Sequence, residues 1–318
     1  MSGTIELTQR CNNHCVHCYN NLYLNDQDAR QRELTHIEYS YILDEIAEAG
    51  CLWLLLTGGE IFLRKDFMDI YTYAKQKGLL ISLYTNGTLI TSELADYLAG
   101  RPPFSIEITL YGRTRQTYER VTGVPGSFER CLSGIRLLME RDLPLKLKTM
   151  AITINEHEIW KMKQFAEEEL GLEFKFDSMI NPRYDHSQCP LDVRLTPAEV
   201  VKLDLQDADR INEWNEFCKK FDGHKRSSEQ AEMLWSCGAG QSSFVIDPYG
   251  RLRMCTLAFC NTYDLRKGNF QDGWAHFFPQ LRQKKITRQT KCTSCSIIDM
   301  CGMCPANADL ECMDKEEP

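Results

Sequence analysis

Cys11-Asn-Asn-His-Cys15-Val-His-Cys18-Tyr19 follows a short run of strand-forming residues and spaces three cysteines as C-x3-C-x2-C. Three thiolates on one tight loop can bind three irons of a 4Fe–4S cube, for which four thiolates are the usual ligands. No fourth cysteine lies nearby in the sequence, so we expect the fourth iron to be open to a small molecule. Zinc is the alternative, but structural zinc sites are usually built from pairs of C-x2-C motifs. His14 and His17 could add nitrogen ligands, and we interpret them as ordinary loop residues.

Length and composition indicate a globular protein with one large and one smaller domain. The chain has 318 residues, of which 43% are hydrophobic and 26% are charged. It contains no signal peptide and no 18-residue apolar run, so we expect a cytoplasmic protein with no membrane partner. The net charge of −8 argues against nucleic acid as a main partner. Fifteen cysteines in such a chain indicate metal binding rather than disulfides.

Strand and helix patterns alternate from residue 3 to about residue 180. Six segments are predicted to be strands: 4–7, 52–56, 79–84, 104–110, 145–152 and 172–176. Capping boxes at Thr35 and Asn155 are predicted to open two of the intervening helices. Six β/α units imply a parallel sheet covered by helices, and they are too few for a closed eight-stranded barrel. The sequence therefore predicts an α/β fold, a partial (β/α)6 barrel over residues 1–180.

The rest of the chain divides into a bridge and a cysteine-rich region. Residues 181–236 are predicted to be a helical bridge, with a capping box at Thr196-Pro-Ala-Glu199 and a linker near residues 223–230. Residues 237–318 are predicted to form a small domain in which Phe244–Arg253 is a β-hairpin with an Asp-Pro-Tyr-Gly turn.

Polar motifs follow successive strands, at the edge where the loops of such a barrel bind ligands. Thr57-Gly58-Gly59-Glu60 follows the second strand; its glycines allow close approach of the backbone, and its carboxylate can accept a hydrogen bond from an ammonium group. The third and fourth strands add further polar side chains: Asn86, Glu107, Thr109 and Tyr111. Each motif alone is often only a turn, but their succession after the cysteine loop favours a binding site.

A second group of cysteines occupies the last third of the chain. Cys237 and Cys255 flank the predicted hairpin, and Cys260 follows closely. The remaining members are Cys292-x2-Cys295-x5-Cys301-x2-Cys304 and Cys312. Paired C-x2-C motifs are also a zinc pattern, so zinc remains an alternative for this region when it is considered alone.

Together these motifs resemble the radical S-adenosylmethionine (SAM) superfamily, and the C-terminal pattern resembles its SPASM extension. In that family the open iron binds the amino and carboxylate groups of SAM. The resemblance implies that Tyr19 packs near the adenine and that Gly58, Gly59 and Glu60 bind the amino group. It also implies contacts with the SAM ribose and carboxylate for Asn86, Glu107, Thr109 and Arg120, although Arg120 would equally suit a surface ion pair.

The SPASM resemblance implies two auxiliary 4Fe–4S clusters besides the SAM-binding cluster. The first would be bound by Cys237, Cys255 and Cys304, with its fourth position either open or, as we prefer, taken by Cys260. The second would be bound by Cys292, Cys295, Cys301 and Cys312. One departure is that two residues separate Cys301 from Cys304, where the commonest pattern has three.

The resemblance implies an enzyme that cleaves SAM reductively to a 5′-deoxyadenosyl radical and oxidatively modifies a peptide or protein. We expect a thioether or carbon–carbon crosslink in a ribosomally made peptide. The alternatives are a sulfatase-type formylglycine maturase, a haem- or quinone-pathway enzyme, and a non-catalytic iron–sulfur or zinc protein. Tyr111, which replaces an Asp of many relatives, and Asp177, at the end of the sixth strand, are the candidate catalytic residues.

The expected partners follow from the same resemblance. They are a peptide or protein substrate and an electron donor of the flavodoxin or ferredoxin type. No winged-helix leader-binding domain precedes Cys11, so we expect either a separate leader-binding protein or a substrate that is not a leader peptide.

Overall fold

The structure is a computed structural model that describes residues 1–20, 22–221, 232–301 and 304–316. Its strands are β1 (Ser2–Thr8), β2 (Arg10–Cys11), β3 (Leu22–Tyr23), β4 (Trp53–Gly58), β5 (Leu80–Thr85), β6 (Ser105–Thr109), β7 (Leu145–Met150), β8 (Phe174–Asp177), β9 (Ser243–Ile246), β10 (Arg251–Arg253) and β11 (Tyr263–Asp264). The linker predicted near residues 223–230 lies outside the described residues.

Helices cover the outer face of the sheet and occupy part of residues 197–221. They are α1 (Gln27–Arg32), α2 (His36–Glu48), α3 (Phe67–Gln76), α4 (Ser92–Ala99), α5 (Arg115–Thr122), α6 (Ser127–Met139), α7 (Ile159–Gln164), α8 (Pro197–Asp204), α9 (Ala208–Phe221), α10 (Phe270–Asp272), α11 (Phe278–Arg282) and α12 (Pro305–Cys312). Shorter 3-10 and π-helical turns join some of them, notably Phe165–Glu169 after α7. Among the residues that the structure describes, no helix has both the length and the apolar character needed to cross a bilayer.

One nine-stranded sheet runs through the molecule in the order β11-β10-β9-β1-β4-β5-β6-β7-β8. The six strands from β1 to β8 in that order are all parallel, which confirms the predicted partial barrel. β9 and β10 form the predicted antiparallel hairpin. β9 also pairs in parallel with β1, Ser243 opposite Ser2, so the hairpin extends the barrel sheet.

The alternation of side chains along the strands separates the core from the interior of the barrel. On β7, Leu145 and Leu147 are buried in the hydrophobic core beneath the helices. The intervening side chains of Lys148 and Met150 line a cavity inside the barrel instead. Because successive side chains of a strand point to opposite faces, one face of β7 stabilises the fold and the other supplies the cavity wall.

Local hydrogen bonding explains where the helices begin. The capping boxes of Thr35 with Glu38 and of Thr196 with Glu199 are both present, as predicted. The predicted box at Asn155 is wrong, because Asn155 makes no capping bond and the α-helix begins only at Ile159. Its amide instead accepts a hydrogen bond from the Ile152 N–H at 2.9 Å and donates to the Tyr111 carbonyl at 3.1 Å. Asn155 thus connects the loops that follow β7 and β6.

Candidate cofactor and substrate site

A cavity of about 300 Å³ lies at the C-terminal ends of the barrel strands. It brings together nine of the residues singled out in the sequence: Cys11, Cys15, Cys18, Tyr19, Gly58, Gly59, Asn86, Thr109 and Tyr111. The C-terminal ends of parallel strands meet at one edge of a sheet. For this reason, residues that are far apart in the sequence line the same cavity.

The cysteine loop is held by both of its flanks. Arg10 forms a buried two-pronged ion pair with Glu33, with Nε–Oε1 at 2.9 Å and Nη2–Oε2 at 3.0 Å. The His14 and Val16 amides donate to carbonyls at the end of α5, at 2.8 and 3.0 Å. These bonds fix the direction in which the loop presents its thiols.

Cys11 and Cys15 lie among hydrogen-bond donors that suit metal-bound thiolates. Burial, with smaller effects from Glu60 and Cys18, raises the pKa of Cys11 to about 12. Burial, with smaller effects from Cys18 and Cys11, raises the pKa of Cys15 well above its ordinary value. The Asn13 amide donates to Cys11 Sγ at 3.4 Å, Asn86 Nδ2 approaches the same sulfur at 3.7 Å, and Tyr111 hydrogen-bonds Cys15. These hydrogen-bond donors stabilise the charged form of the sulfurs, so they oppose the burial that disfavours it and would support thiolates bound to a cationic group.

Within the described residues, no three His, Cys, Asp or Glu side chains converge on one metal-ion position. Cys18 is half-buried and lines the same cavity as Cys11 and Cys15. The assignment of these three residues as cluster ligands therefore stays a prediction.

The glycines after β4 are required by a close approach to β1. Gly58 has φ +139°, and a Cβ on it would lie 2.1 Å from the Thr8 carbonyl oxygen. A Cβ on Gly59 would lie 2.2 Å from the Arg10 carbonyl oxygen. Both glycines line the cavity, so the backbone can pack against the cysteine loop and still face a ligand.

Glu60 does not extend into the cavity, which differs from the expectation that its carboxylate takes the SAM ammonium group. The residue is fully buried, and burial raises its pKa to about 7. Its carboxylate accepts hydrogen bonds from Thr85 Oγ1 and the Asn86 N–H, both at 2.8 Å, and from the Phe62 N–H at 3.2 Å. Glu60 therefore orients the loop after β5, and a role in SAM binding stays a prediction for the motif.

Glu107 also lies outside the cavity lining, and two lysines pair with it. Lys148 Nζ lies 3.1 Å from Oε2, and Lys175 Nζ lies 3.0 Å from Oε1. Burial opposes ionisation of Glu107, but the lysines outweigh it and hold its pKa below the ordinary value. Lys148 lines the cavity and was not predicted from sequence, although the Leu-Lys-Leu-Lys alternation of β7 could have indicated it.

Tyr111 lies in the cavity wall, with its ring 5.0 Å from that of His17. His17 lines the cavity too, and burial lowers its pKa to about 4, so its ring is neutral at physiological pH. Asp177 and Arg120 are not brought into the cavity lining: Asp177 accepts a hydrogen bond from the Met179 N–H at 2.8 Å, and Arg120 is exposed on α5. Their predicted roles are untested.

Three of the C-terminal cysteines lie near one another. Burial raises the pKa of Cys255 and of Cys304, and each is raised further by neighbouring cysteine charge, from Cys237 in both cases. Cys260 has a different partner, since its thiol donates to Asp309 Oδ2 at 2.9 Å. Cys237 thus interacts electrostatically with both Cys255 and Cys304, whereas Cys260 pairs with a carboxylate, and the assignment of these four residues to one cluster stays a prediction.

The remaining C-terminal cysteines lie on two separate segments. Cys292 and Cys295 form a turn in which the Cys295 N–H donates to the Cys292 carbonyl at 3.2 Å. Cys301 is exposed after a 3-10 turn, and Cys312 is exposed at the end of α12. Their assignment to one cluster stays a prediction.

A buried ionic and aromatic group connects the barrel with the hairpin. Arg253 Nη2 on β10 lies 2.7 Å from Glu6 Oε2 on β1, and the Tyr184 hydroxyl donates to Glu6 Oε1 at 3.0 Å. The Tyr184 ring lies 4.9 Å from Tyr19 of the cysteine loop, and the Arg253 guanidinium lies 4.2 Å from the Phe259 ring. This group fixes the position of the cysteine loop relative to the segment that carries Cys255.

Comparison with known proteins assigns the class. The model of the radical SAM superfamily matches residues 5–166, and the chain belongs to that superfamily. It is therefore an enzyme of this class, whose members use SAM and a 4Fe–4S cluster, and its cysteine-rich C-terminal region is consistent with SPASM-type peptide maturases.

Three relatives illustrate the range. The AdoMet-dependent heme synthase of Methanosarcina barkeri is 27% identical over 98% of this chain and 94% of that protein. The mycofactocin maturase MftC of Mycolicibacterium smegmatis is 27% identical over 95% of this chain and 77% of that protein. The structure of Streptococcus suis SuiB bound to its precursor peptide SuiA superposes with a TM-score of 0.75, at 16% identity, over 99% of this chain and 74% of that one. The last likeness shows the shared fold.

Proposed function

We propose that this enzyme generates a 5′-deoxyadenosyl radical from SAM and uses it to modify a peptide or protein oxidatively, by forming a thioether or carbon–carbon crosslink. The observation that carries the proposal is the cavity in which the Cys11–Cys18 loop meets Gly58, Gly59 and Asn86. Relatives that are named as a maturase or were solved with a precursor peptide support a peptide substrate.

The residues of the cavity suit the two cofactors. Cys11, Cys15 and Cys18 would hold the cluster, and the backbone at Gly58 and Gly59 would face the SAM amino group. When bound, the cluster and SAM supply the radical that removes a hydrogen atom from an unactivated carbon.

The chain's own part in this reaction is orientation and tuning. Asn86 and Tyr111 donate hydrogen bonds to the cysteine sulfurs, which stabilises thiolates. Glu60 holds the Asn86 backbone in place, so the amide stays aimed at Cys11. Tyr19 covers one side of the cavity and is itself held by Tyr184.

Two auxiliary clusters are part of the proposal. Cys237, Cys255 and Cys304 would hold the first, with Cys260 as the candidate fourth ligand, which would have to leave Asp309. The second ligand set would be Cys292, Cys295, Cys301 and Cys312. The two auxiliary clusters would supply a route for the electron that the substrate gives up when it is oxidised. The proposal also includes an electron donor of the flavodoxin or ferredoxin type, a separate leader-binding protein and a cytoplasmic location.

The test is SAM cleavage by anaerobically reconstituted protein. We expect 5′-deoxyadenosine to accumulate with SAM and dithionite, and to increase with short peptides encoded beside the gene, which should gain a crosslink detectable by mass spectrometry. The variant in which Cys11, Cys15 and Cys18 are all Ala is the control and should release none. Stoichiometric zinc, without 5′-deoxyadenosine, would contradict the proposal.

A haem-pathway reaction is the second candidate, because the heme synthase relative matches 98% of this chain and nearly all of its own length. The same reconstituted protein should be incubated with iron porphyrins bearing propionate groups, and haem formation followed by absorption. Porphyrin-stimulated release of 5′-deoxyadenosine, with no response to peptides, would favour this candidate over the first.

A further inference from the structure

Lys148 stands out because it is a cation on the inner wall of the cavity. It lies on β7 opposite Thr109 of β6, and both residues line the cavity. Its side chain is 22% exposed. Among the described residues that line this cavity, it is the one lysine or arginine.

The charges around Lys148 do not balance. Glu107 on β6 pairs with Lys148 and with Lys175 on β8, and it accepts a hydrogen bond from Tyr84 on β5. Two ammonium groups thus share one carboxylate, which leaves one positive charge on this wall. The neighbouring strands present no other carboxylate to Lys148 among the contacts described.

The excess charge is held where water solvates it poorly. Burial lowers the pKa of Lys148 to about 8, against the opposing attraction of Glu107. A poorly solvated ammonium group gains most from a second anion that enters its surroundings, because the partner replaces lost hydration. The cavity side of Lys148 therefore suits an anionic ligand group.

The position of Lys148 indicates from where that anion comes. Strands β4, β5 and β6 lie between β7 and β1, which leads into the cysteine loop. On the other side, β8 is the edge of the open sheet, and its Lys175 side chain is 50% exposed. The lysine pair therefore lies beside the opening of the partial barrel, where a substrate can enter.

We propose that Lys148 binds a carboxylate of the substrate, namely an acidic side chain of the peptide beside the residue that is modified. This proposal rests on the proposed function and names the substrate class more narrowly. The carboxylate would lie between Lys148 and the open edge at β8, with the ion pair to Glu107 keeping Lys148 in place. SAM also carries a carboxylate, so the experiment has to separate the two sources.

The experiment uses the reconstituted full chain and glutarate as a probe of the acidic side chain, with glutaramide as the neutral match. Isothermal titration calorimetry should show binding of glutarate and none of glutaramide. Lys148→Met should weaken glutarate binding roughly tenfold to hundredfold, the range expected for loss of one charged hydrogen bond. Lys148→Arg keeps the positive charge and should retain glutarate binding, so that a loss of binding in Lys148→Met can be attributed to the missing charge. Lys146→Met is the matched control, because Lys146 pairs with Glu173 near the other end of β7 and should leave binding unchanged.

A second measurement separates the substrate carboxylate from that of SAM. Equilibrium dialysis compares SAM with decarboxylated SAM on the wild-type chain and on Lys148→Met. We expect both proteins to show the same preference for SAM. Loss of that preference in Lys148→Met, or glutarate binding that is equal in wild type and Lys148→Met, would overturn the proposal. Release of 5′-deoxyadenosine by the wild-type chain is scored separately, so failure of the proposed function is recognised independently of glutarate binding.

Discussion

The buried pair of Glu6 and Arg253 gives a prediction that depends on neither cofactor. Both side chains are almost fully buried, at 1% and 0% exposure, and their charged atoms lie 2.7 Å apart. Glu6 belongs to the first barrel strand and Arg253 to the hairpin, so the pair joins the two parts of the sheet. We consider three changes: Glu6→Gln, Arg253→Met and both together.

The magnitude follows from which charge is left behind. Removing one partner of a buried pair typically costs about 3–5 kcal/mol, because the other charge stays uncompensated. The two single changes differ in one respect, since a carboxyl can take up a proton and a guanidinium cannot lose one. Burial already raises the pKa of Glu6 despite the opposing effect of Arg253, and removal of Arg253 raises it further.

The sign of the pH dependence follows. A carboxyl whose pKa is higher in the folded than in the unfolded chain contributes most below its unfolded pKa of 4.5, and that contribution is lost as the pH rises through the folded value. Arg253→Met should therefore be clearly less destabilising at pH 5 than at pH 8. Glu6→Gln removes this titration, so its cost relative to the wild type should be smaller at pH 8 than at pH 5, opposite in sign to the trend for Arg253→Met. The double variant should cost much less than the sum of the single changes, since it buries no charge.

The assay is urea unfolding of the cluster-free chain at both pH values, followed by tryptophan fluorescence and analysed as a double-mutant cycle. The exposed pair Lys146 and Glu173 serves as control, and the same kind of cycle there should give a coupling below about 1 kcal/mol. Additive effects of Glu6→Gln and Arg253→Met, or a deficit of Arg253→Met that is equal at pH 5 and pH 8, would refute the reasoning.

Three further predictions concern the site. Burial raises the pKa of Glu60 in the folded chain to about 7, so the wild type should lose up to about 3 kcal/mol of stability as the pH rises from 4.5 to 8. Glu60→Gln should remove this loss in urea unfolding, and an unchanged pH dependence would count against the prediction. Cys260→Ala should alter the electron paramagnetic resonance signal of the first auxiliary cluster, because we propose Cys260 as its fourth ligand, whereas unchanged signals would show that the thiol stays with Asp309. Iron analysis after reconstitution should give about twelve irons per chain, and replacing the three cysteines of the Cys11–Cys18 loop by Ala should remove about four; an unchanged iron content would exclude a cluster there.

The elements of the barrel were predictable because local signals and the fold agree. The capping boxes at Thr35 and Thr196 form as the sequence predicts, and the six parallel strands lie within a few residues of their predicted positions. Helix α5 was not predicted, since its sequence Arg115–Thr122 is strongly polar and shows no apolar stripe of ordinary length. Asn155 was misassigned because its amide finds stronger partners in the neighbouring loops than in a helix.

The candidate site was predictable to the level of strand ends but not of side-chain direction. Cys11, Gly58 and Asn86 reach the cavity because each ends a strand or directly follows one. Glu60 has the same sequence context, yet its carboxylate turns toward three donors of the chain. A sequence pattern does not contain that choice, because it depends on where the loop after β5 places its N–H groups.

Lys146 and Lys148 show the same limit on a single strand. Their alternation with leucines predicts one buried and one polar face, and a polar face is ordinarily interpreted as solvent-exposed. In a partial barrel that face is the interior, and only the strand order and the curvature of the sheet reveal it. Lys146 and Lys148 are two positions apart on β7, yet Lys146 pairs with Glu173 outside the cavity lining, whereas Lys148 pairs with Glu107 and lines the cavity. Both residues are lysines, but Lys148 lines the cavity and Lys146 does not, so comparing Lys148→Met with Lys146→Met separates the effect of position from the effect of charge. A carboxylate site at Lys148 requires that only Lys148→Met weaken glutarate binding.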